Sequence, residues 1–386
     1  MFRILKPIEW SSFLCFIVIA SIASAQSQVL EGKLEAYLGE PQMELQQVFN
    51  SQRFPNVVVT LKGTVLASFG NKGVQIRRSD DGGKSWKEPI LIDKDGFQGG
   101  GMTVDETNGD ILAFIEASHP PAPLTLYRSR DDGKTWVAET TEVKPDSQGN
   151  IPSMHMNEHG ITLRHGKHKG RLLRPTRWYA GKNERGRWPD HYTNAMYSDD
   201  EGKTWQTSEP FPENGTGEAT LAELSDGTIY YNTRIHWDKR PNNTRRRSAL
   251  SKDGGQTWVD WDIVEILPDG HQHRSYGCMG GLTRLAVAEQ DILIFSNLDT
   301  PNATRERGTV WASFDGGATW PVKRLVFDGP SGYSSMSSGR PDTASEGWIY
   351  LHFEGGPKGG STLARMNLAW ILAGEKTGDG ELPSFN

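Results

Sequence analysis

Apolar residues along this chain come in short runs that alternate with polar turns, and helical spacing of apolar residues is almost absent. Runs such as 57–61 and 65–69 are rich in Val, Leu and Phe and have the length of strands. Similar runs recur at 88–93 and 323–327, and a late one covers 366–371. The pattern predicts an all-β protein of short strands and tight turns.

One eight-residue motif, S-x-D-x-G-x-[S/T]-W, occurs five times. The copies are SDDGGKSW (79–86), SRDDGKTW (129–136), SDDEGKTW (198–205), SKDGGQTW (251–258) and SFDGGATW (313–320). Each follows a strand-like stretch, and the opening serines lie 50, 69, 53 and 62 residues apart. Such a period indicates one supersecondary unit per repeat, as in solenoids and propellers.

The motif suits a turn between two strands better than a metal site. Asp accepts hydrogen bonds from backbone N–H groups just ahead of it, and Gly adopts positive φ without steric cost. Trp offers a large apolar face for packing on a neighbouring hairpin. A calcium loop needs a glutamate at its twelfth position, and the repeated pattern brings none with it. We therefore predict that the five motifs are scaffold.

The repeat predicts a closed ring of units. Roughly 360 residues after the leader, at a spacing near 60, give six units. The sixth has lost its motif or is split between the chain ends, where the early runs and the run at 366–371 would close the ring. We predict an all-β, six-bladed β-propeller with Asp-box repeats in a single domain, 26–374, and a loose C-terminal tail, 375–386. Radial repetition would place a site at one end of the central channel.

Residues 1–25 are predicted to be a secretory signal peptide. Arg3 and Lys6 precede an apolar run at 13–22, and Ala-Ser-Ala at 23–25 forms a small-x-small cleavage pattern. The apolar run is too short to span a bilayer. We therefore expect a secreted or periplasmic protein without a membrane span.

Composition limits the possible partners. The net charge of −6 argues against nucleic acid and against an acidic membrane surface. Cys278 is the single cysteine after the leader, so no internal disulfide is expected. Export without disulfides favours a bacterial protein. The sequence shows no need for a cofactor or a metal, and it leaves the oligomeric state open.

Chemistry is then expected between the motifs, at strand ends. Six residues stand out there: Arg53, Glu218, Arg234, Arg305, Tyr333 and Glu354. Taken one at a time, an arginine is more often a solvated surface residue, and a tyrosine more often packs in a core. Their order along the chain carries the argument instead.

Between about 52 and 373, the ordered segments resemble the sialidase (neuraminidase) family. The resemblance covers RFPNVVVT with KGTVLA, GRLLRP, GEATLAELSDGTIYYNTR, NATRERGTVW, GPSGYSSM and LHFEGG, interleaved with the five motifs. Asp-boxes alone also occur in propellers that are not enzymes, so the ordered set is the specific part. It implies a six-bladed propeller that removes terminal sialic acid from glycans.

The resemblance assigns a role to each of the six residues. Arg53, Arg234 and Arg305 would clamp the substrate carboxylate through charge-assisted hydrogen bonds, with Arg305 preferred to Arg307 on its spacing to GTVW. Tyr333 would be the nucleophile, since a neutral phenol avoids the repulsion that a carboxylate would meet from an anionic sugar. Glu218 would be its base. Glu354 would hold Arg53.

One family feature is missing. The family carries its acid/base aspartate on a loop soon after the opening hairpin, where this chain has only GNKG at 70–73. Asp95 and His119 are the candidate replacements for the acid/base, and His155, His159, Asp190 and His191 are further loop candidates. Each is individually more typical of an ordinary loop residue.

Three functions remain open on the sequence. The first is a retaining exo-α-sialidase, or a relative acting on another 2-keto sugar acid. The second is a glycosidase or lyase on another anionic polysaccharide that uses the same arginine pocket. The third is a non-catalytic sugar-binding propeller, which would need the arginines but not the pair formed by Tyr333 and Glu218. In all three the partner is a sialylated or other acidic glycan.

Overall fold

The computed structural model describes residues 29–51, 53–182, 184–237, 245–270, 277–301 and 304–385. The predicted signal peptide, 1–25, lies outside the described residues. The described chain is almost entirely β. One short α-helix, α1 (Leu368–Leu372), and three 3₁₀ turns (Leu34–Tyr37, Gly166–His168 and Arg185–Asp190) complete it. Within these residues no helix is both long and apolar enough to cross a bilayer.

Twenty-five strands are described. The first fourteen are β1 (Met43–Phe49), β2 (Asn56–Val59), β3 (Val65–Phe69), β4 (Val74–Ser79), β5 (Ile90–Asp93), β6 (Phe97–Val104), β7 (Ile111–Glu116), β8 (Leu124–Ser129), β9 (Val137–Glu139), β10 (Glu142–Val143), β11 (Ile161–Thr162), β12 (Leu172–Trp178), β13 (Tyr192–Ser198) and β14 (Thr204–Thr207). The others are β15 (Thr216–Glu223), β16 (Ile229–Ile235), β17 (Arg245–Ser251), β18 (Val259–Pro268), β19 (Gly281–Arg284), β20 (Leu293–Leu298), β21 (Glu306–Ser313), β22 (Val322–Ser338), β23 (Ile349–Gly355), β24 (Ser361–Met366) and β25 (Glu375–Lys376).

The strands form five sheets in a propeller-like arrangement. Three are four-stranded, with the orders β2-β3-β4-β5, β6-β7-β8-β9 and β15-β16-β17-β18. A five-stranded sheet has the order β10-β14-β13-β12-β11. The last sheet has eight strands, in the order β19-β20-β21-β22-β23-β24-β1, with β25 added beside β22. Neighbouring strands are mostly consecutive and antiparallel, which confirms the predicted succession of hairpins.

Each of the five motifs forms the same turn after a strand. The serine hydroxyl donates to the aspartate Oδ1 at 2.7 to 2.9 Å and accepts from the backbone N–H four residues on. The Ser or Thr hydroxyl near the end of the motif donates to the other carboxylate oxygen. Because the aspartates are engaged in this way, the prediction that the motifs are turns is confirmed.

The motif tryptophans pack between adjacent sheets. Trp205 is fully buried and contacts Phe114 of the preceding sheet edge-on, with 5.5 Å between ring centroids. Trp320 packs likewise against Tyr230, and Trp86 joins Tyr350 in a core cluster of the first and last sheets. Truncating a buried tryptophan typically costs about 3–5 kcal/mol. The core is therefore a series of layers between sheets.

The two ends of the chain meet in the eight-stranded sheet. Strand β1 pairs antiparallel with β24, from Met43 opposite Met366 to Phe49 opposite Ser361. The structure confirms that an early and a late segment of the chain pair, but the paired strands are not the ones expected. The early runs form β2 and β3 of the first sheet, and it is β1 that meets the end of the chain.

Two expectations for the C-terminal end are wrong. The run at 366–371 is not a strand, because Asn367 caps α1 by accepting from the Trp370 N–H at 3.0 Å. The tail is also not loose. Strand β25 pairs with β22, and the Asp379 carboxylate accepts from the Trp320 N–H at 2.9 Å.

Candidate active site

The ends of several strands bring the predicted site residues together. Glu218 lies in β15 and Tyr333 in β22, each where the pairing register shifts by a bulge or irregularity. Such irregularities re-aim a side chain that regular pairing would direct elsewhere. Arg234 lies near the end of β16, the strand paired with β15.

Tyr333, Glu218 and Arg234 form a buried triad. The Tyr333 hydroxyl donates to Glu218 Oε1 at 2.9 Å, and Arg234 Nη1 donates to the same hydroxyl at 3.1 Å. Arg234 also forms an ion pair with Glu218 Oε2. Tyr333 is 5% exposed and Glu218 is 1% exposed, so water does not screen these contacts.

The surroundings set the charges of this pair. Burial raises the pKa of Glu218, but Arg234 and Arg177 outweigh burial and leave its pKa below the ordinary value. Burial and the negative charge of Glu218 raise the pKa of Tyr333, although Arg234 and Arg305 oppose the rise. At neutral pH the pair therefore consists of a neutral phenol beside an ionised carboxylate, which is placed to accept the phenol proton.

Arg53 is held beside the phenol by Glu354. Its Nε donates to Glu354 Oε1 at 3.0 Å, and the same carboxylate accepts from the backbone N–H groups of Phe54 and Tyr333. The Arg53 guanidinium lies 4.9 Å from the centre of the Tyr333 ring. The Arg53 side chain is 43% exposed, so it can reach a ligand.

Arg305 approaches the same ring, with its guanidinium 4.8 Å from the ring centre. Arg307, the alternative weighed on the sequence, donates to Asp328 in an exposed ion pair. The structure thus brings three guanidinium groups around Tyr333, from Arg53, Arg234 and Arg305. Such a cluster suits an anionic ligand whose reacting carbon faces the phenol oxygen.

The turn at the expected acid position is as short as predicted. Strands β3 and β4 are joined by residues 70–73, and the Gly70 N–H donates to the Arg53 carbonyl at 2.9 Å. Gly70 has a φ of 151° and Gly73 a φ of 84°, the second in a region that favours glycine. The turn packs tightly behind Arg53 and carries no carboxyl group.

Asp95 does not lie with the triad. Its side chain is 73% exposed, and its carboxylate lies 3.8 Å from Lys94 Nζ. It lines a surface cleft with Ile92, Thr125 and Tyr127. The cleft includes β5, the outermost strand of the first sheet, and the exposed Asp95 carboxylate has Lys94 rather than a triad residue as its ion-pair partner.

His119 is nearer to the triad but is separated from it by two rings. Its ring centroid is 5.1 Å from that of His155, which lies 4.9 Å from Phe54, and Phe54 lies 5.9 Å from Tyr333. Burial lowers the pKa of His119, and burial lowers the pKa of His155 to about 3. Both imidazoles are therefore mainly neutral at pH 7, which disfavours them as proton donors.

The other loop candidates have structural partners. His159 lies between the Gly160 and Met336 carbonyls, at 3.0 and 2.8 Å. Asp190 pairs with Arg187 at 2.8 Å on the surface. His191 is fully buried and accepts from Arg177. Within the described residues, no group of three or more His, Cys, Asp or Glu is placed to hold a metal ion.

Two buried charged residues near the site were not singled out on the sequence. Arg177 lies 3.9 Å from Glu218 Oε1, and burial raises the pKa of Glu116 to about 7. Glu116 ends an apolar strand, in FIEAS, as Glu354 does in LHFEGG, and that pattern could have drawn attention to it. Nothing comparable distinguishes Arg177, because its importance depends on which residues the fold brings beside it.

The chain was compared with known proteins. It matches the family described as BNR repeat-like domain over residues 68–344. It is 29% identical to a sialidase of Micromonospora viridifaciens over 398 residues, which cover 92% of this chain and 58% of that protein. It is 30% identical to a sialidase of Bacteroides fragilis over 338 residues, covering 74% and 57%. The chain thus spans rather more than half the length of these relatives.

Solved structures agree on the fold. A Hadza microbial sialidase superposes with a TM-score of 0.62 at 24% identity, covering 83% of this chain and 66% of the other. A leech intramolecular trans-sialidase gives the same TM-score at 15% identity, covering 84% and 69%. The family match spans well over half of this chain, and the curated relatives are sialidases. The chain therefore belongs to the BNR repeat-like domain family, and over most of its length it is similar to sialidases.

Proposed function

We propose that this protein is a retaining exo-α-sialidase that removes terminal sialic acid, or a related 2-keto sugar acid, from glycans. The observation that carries the proposal is the contact between the Tyr333 hydroxyl and Glu218 Oε1, at 2.9 Å within a cluster of three arginines. A sugar-binding protein needs the cationic cluster, but it has no use for a phenol paired with a buried base.

In the proposed reaction, Arg53, Arg234 and Arg305 bind the carboxylate on the anomeric carbon. The Tyr333 oxygen then attacks that carbon while its proton passes to Glu218, and the bond to the leaving oxygen breaks. Water attacks the glycosyl–tyrosine intermediate in the second step and releases one proton to solvent, which balances the proton that the leaving oxygen takes up in the first. The bond to Tyr333 breaks, and the phenolate recovers its proton from Glu218. Two displacements at one carbon retain its configuration.

The leaving oxygen must gain a proton as its bond to the sugar breaks. His119 is the better of the two sequence candidates, because Asp95 lines an outer cleft. Because the pKa of His119 is lowered, little of its imidazole is protonated at neutral pH, and it is a weak proton donor there. We therefore expect substrates with acidic leaving groups, which need little protonation, to react much faster than ordinary sialosides.

The fold and location belong to the same proposal. The eight-stranded sheet reads as two four-stranded blades that share the 17-residue strand β22, and the other four sheets then bring the number of blades to six. The leader at 1–25 would direct the protein out of the cytoplasm.

A fluorogenic aryl sialoside tests the proposal. We expect the protein to hydrolyse it and the Tyr333→Phe variant to lose about 1,000-fold or more in kcat/KM. Tyr127→Phe is the matched control, since it also removes one phenol hydrogen bond, to Asp93, but on the outer part of the second sheet. If the protein binds sialic acid but does not cleave the aryl sialoside, the proposed hydrolase activity is wrong. Cleavage of uronic acid substrates alone would favour the anionic-polysaccharide alternative.

A further inference from the structure

Arg177 is a fourth arginine at the site, and it lies behind the catalytic pair rather than in front of it. It belongs to β12 and is fully buried. Its Nη1 lies 3.9 Å from Glu218 Oε1, the oxygen that accepts the Tyr333 hydroxyl. A ligand bound over Tyr333 would therefore meet Glu218 before it met Arg177.

Two imidazoles fix the orientation of this guanidinium. Arg177 Nη2 lies 3.0 Å from His191 Nδ1 and 2.9 Å from His236 Nδ1. The guanidinium also packs 4.1 Å from the centre of the Tyr179 ring. Burial, reinforced by Arg177, lowers the pKa of His191 to about 3 and that of His236 well below its ordinary value. Both imidazoles are therefore neutral and accept hydrogen bonds from Arg177.

The charge of Arg177 is balanced by Glu218. Among the described residues, Glu218 is the carboxylate within ion-pair distance of Arg177, and the Arg177 Nε and Nη1 atoms have no hydrogen-bond partner. A fully buried cation requires a compensating anion. The ionised form of Glu218 is thus favoured by Arg177 as well as by Arg234.

The two arginines act differently on the proton that Tyr333 and Glu218 share. Arg234 contacts both groups, so it stabilises a negative charge on either one. Arg177 lies near Glu218 alone, so it favours the charge on the carboxylate over the charge on the phenol. Resting on the function proposed above, we propose that Arg177 is a positioning residue that orients Glu218 and keeps the shared proton on Tyr333 until substrate binds.

The groups around Glu218 define how pH should act. Besides the two arginines, Tyr333, His155, Tyr179 and Cys278 exert charge effects with it. Burial holds the pKa of His155 at about 3, raises that of Cys278 to about 11 and raises that of Tyr179. Between pH 4 and 9 these groups keep their charge state. Glu116, whose buried carboxyl has a pKa of about 7 and also feels the charge of Arg177, titrates within this range. The pH profiles are therefore compared in a Glu116→Gln background, where a change in the acid limb reports on Glu218.

The direction of the pH effect follows from the protonation state that the proposed reaction needs, which is ionised Glu218. Activity is present above the pKa of Glu218 and is lost as pH falls through it. Removing a cation 3.9 Å away raises that pKa. We expect Arg177→Gln to move the acid midpoint of kcat/KM on an aryl sialoside upward by about 1–2 pH units. Arg177→Lys keeps the positive charge, so its acid midpoint should lie close to that of the wild type.

Arg174→Gln is the matched control. Arg174 lies on the same strand, is also fully buried, and donates to the Gly100 carbonyl at 2.7 Å rather than approaching Glu218. Arg174→Gln removes a buried arginine without removing a charge beside Glu218. It therefore shows the effect of destabilisation alone, and the acid midpoint of kcat/KM should stay unchanged. If Arg177→Gln does not fold, His236→Leu removes one of the two acceptors and should give a smaller upward shift.

A spectroscopic titration separates this inference from the proposed function. The infrared carbonyl band of the protonated Glu218 carboxyl, identified by its absence in Glu218→Gln, gives the same midpoint without turnover. A higher midpoint in Arg177→Gln than in the wild type supports the inference even if no sialoside is cleaved. Equal midpoints in the two proteins, or an equal shift in Arg174→Gln, would overturn it.

Discussion

At the level of single residues, the surroundings of Tyr333 suit a site for an acidic sugar. A phenol has an ordinary pKa near 10, and burial beside Glu218 raises it further. It becomes a nucleophile only if its proton leaves as the new bond forms. Glu218 Oε1 lies 2.9 Å from the hydroxyl and would accept that proton, and Arg234 would stabilise the oxygen that loses it.

Glu354 should act on substrate binding through Arg53. We expect Glu354→Gln to weaken the hold on the guanidinium and to raise KM for an aryl sialoside about tenfold, with a smaller change in kcat. Steady-state kinetics measure both terms.

Glu44→Gln provides the control for Glu354→Gln. Glu44 holds Arg365 in the same way, at 2.7 Å, in the same sheet but away from Tyr333. If the two variants have equal KM values, Glu354 has no special role in binding.

The site residues differ in how far they could be predicted from the sequence. Tyr333, Glu218 and the three arginines were predicted through an ordered resemblance, and the structure does bring them together. Asp95 and His119 were chosen for their residue type and loop position, which say nothing of distance to Tyr333. Arg177 was missed because it lies within an ordinary strand and acquires its neighbours, His191 and His236, only in the folded chain.

At the level of elements, the Asp-box is the part that the sequence predicted best. Its hydrogen bonds lie within eight residues, so the local pattern determines the turn. In every copy the fourth and fifth residues of the motif have positive φ, such as Gly82 and Gly83 at 72° and 87°. The backbone of the turn therefore repeats without help from distant neighbours. The segment 366–371 shows the opposite case, because its apolar run suited a strand and Asn367 turned it into a helix.

One turn tests the structural role of the boxes. Asp131 accepts from the Ser129 and Thr135 hydroxyls, at 2.9 and 2.7 Å, and from the Thr135 N–H. We expect Asp131→Asn to lower the free energy of unfolding by about 1–3 kcal/mol at pH 7. Urea unfolding measures the change, and Asp95→Asn, which alters an exposed carboxylate, should have little effect.

The same turn should unfold more easily in acid. Slight burial raises the pKa of Asp131, but hydrogen bonds from Thr135, Ser129 and Lys134 outweigh it and leave a pKa of about 2. An unfolded aspartate has a pKa of about 3.9, so the contribution is complete above pH 4 and is lost as pH falls towards 2. Asp131→Asn should show a flatter decline over that window; an identical decline would contradict the assignment.

At the level of the whole molecule, closure of the ring fixes the site. The three arginines, Glu218 and Tyr333 are spread from residue 53 to residue 333, so only the folded chain brings them together. Strand β1 pairs with β24 within the last sheet, and Trp86, from the turn between β4 and β5 of the first sheet, packs on the core cluster that contains Tyr350 of the last. Arg53, in the segment between β1 and β2, thereby meets Glu354 of the last sheet across 301 positions of sequence. The family resemblance predicted this contact, whereas no local pattern around either residue indicates it.

The central claim is that Tyr333 bonds to the sugar acid during the reaction. A fluorinated sialic acid with a good leaving group forms this bond readily but releases it slowly, so the labelled protein can be digested and its peptides weighed. The account predicts one added sugar per chain on Tyr333, and no label in Tyr333→Phe or Glu218→Gln. Hydrolysis of an aryl sialoside with the label on another residue, or with no label, would contradict it.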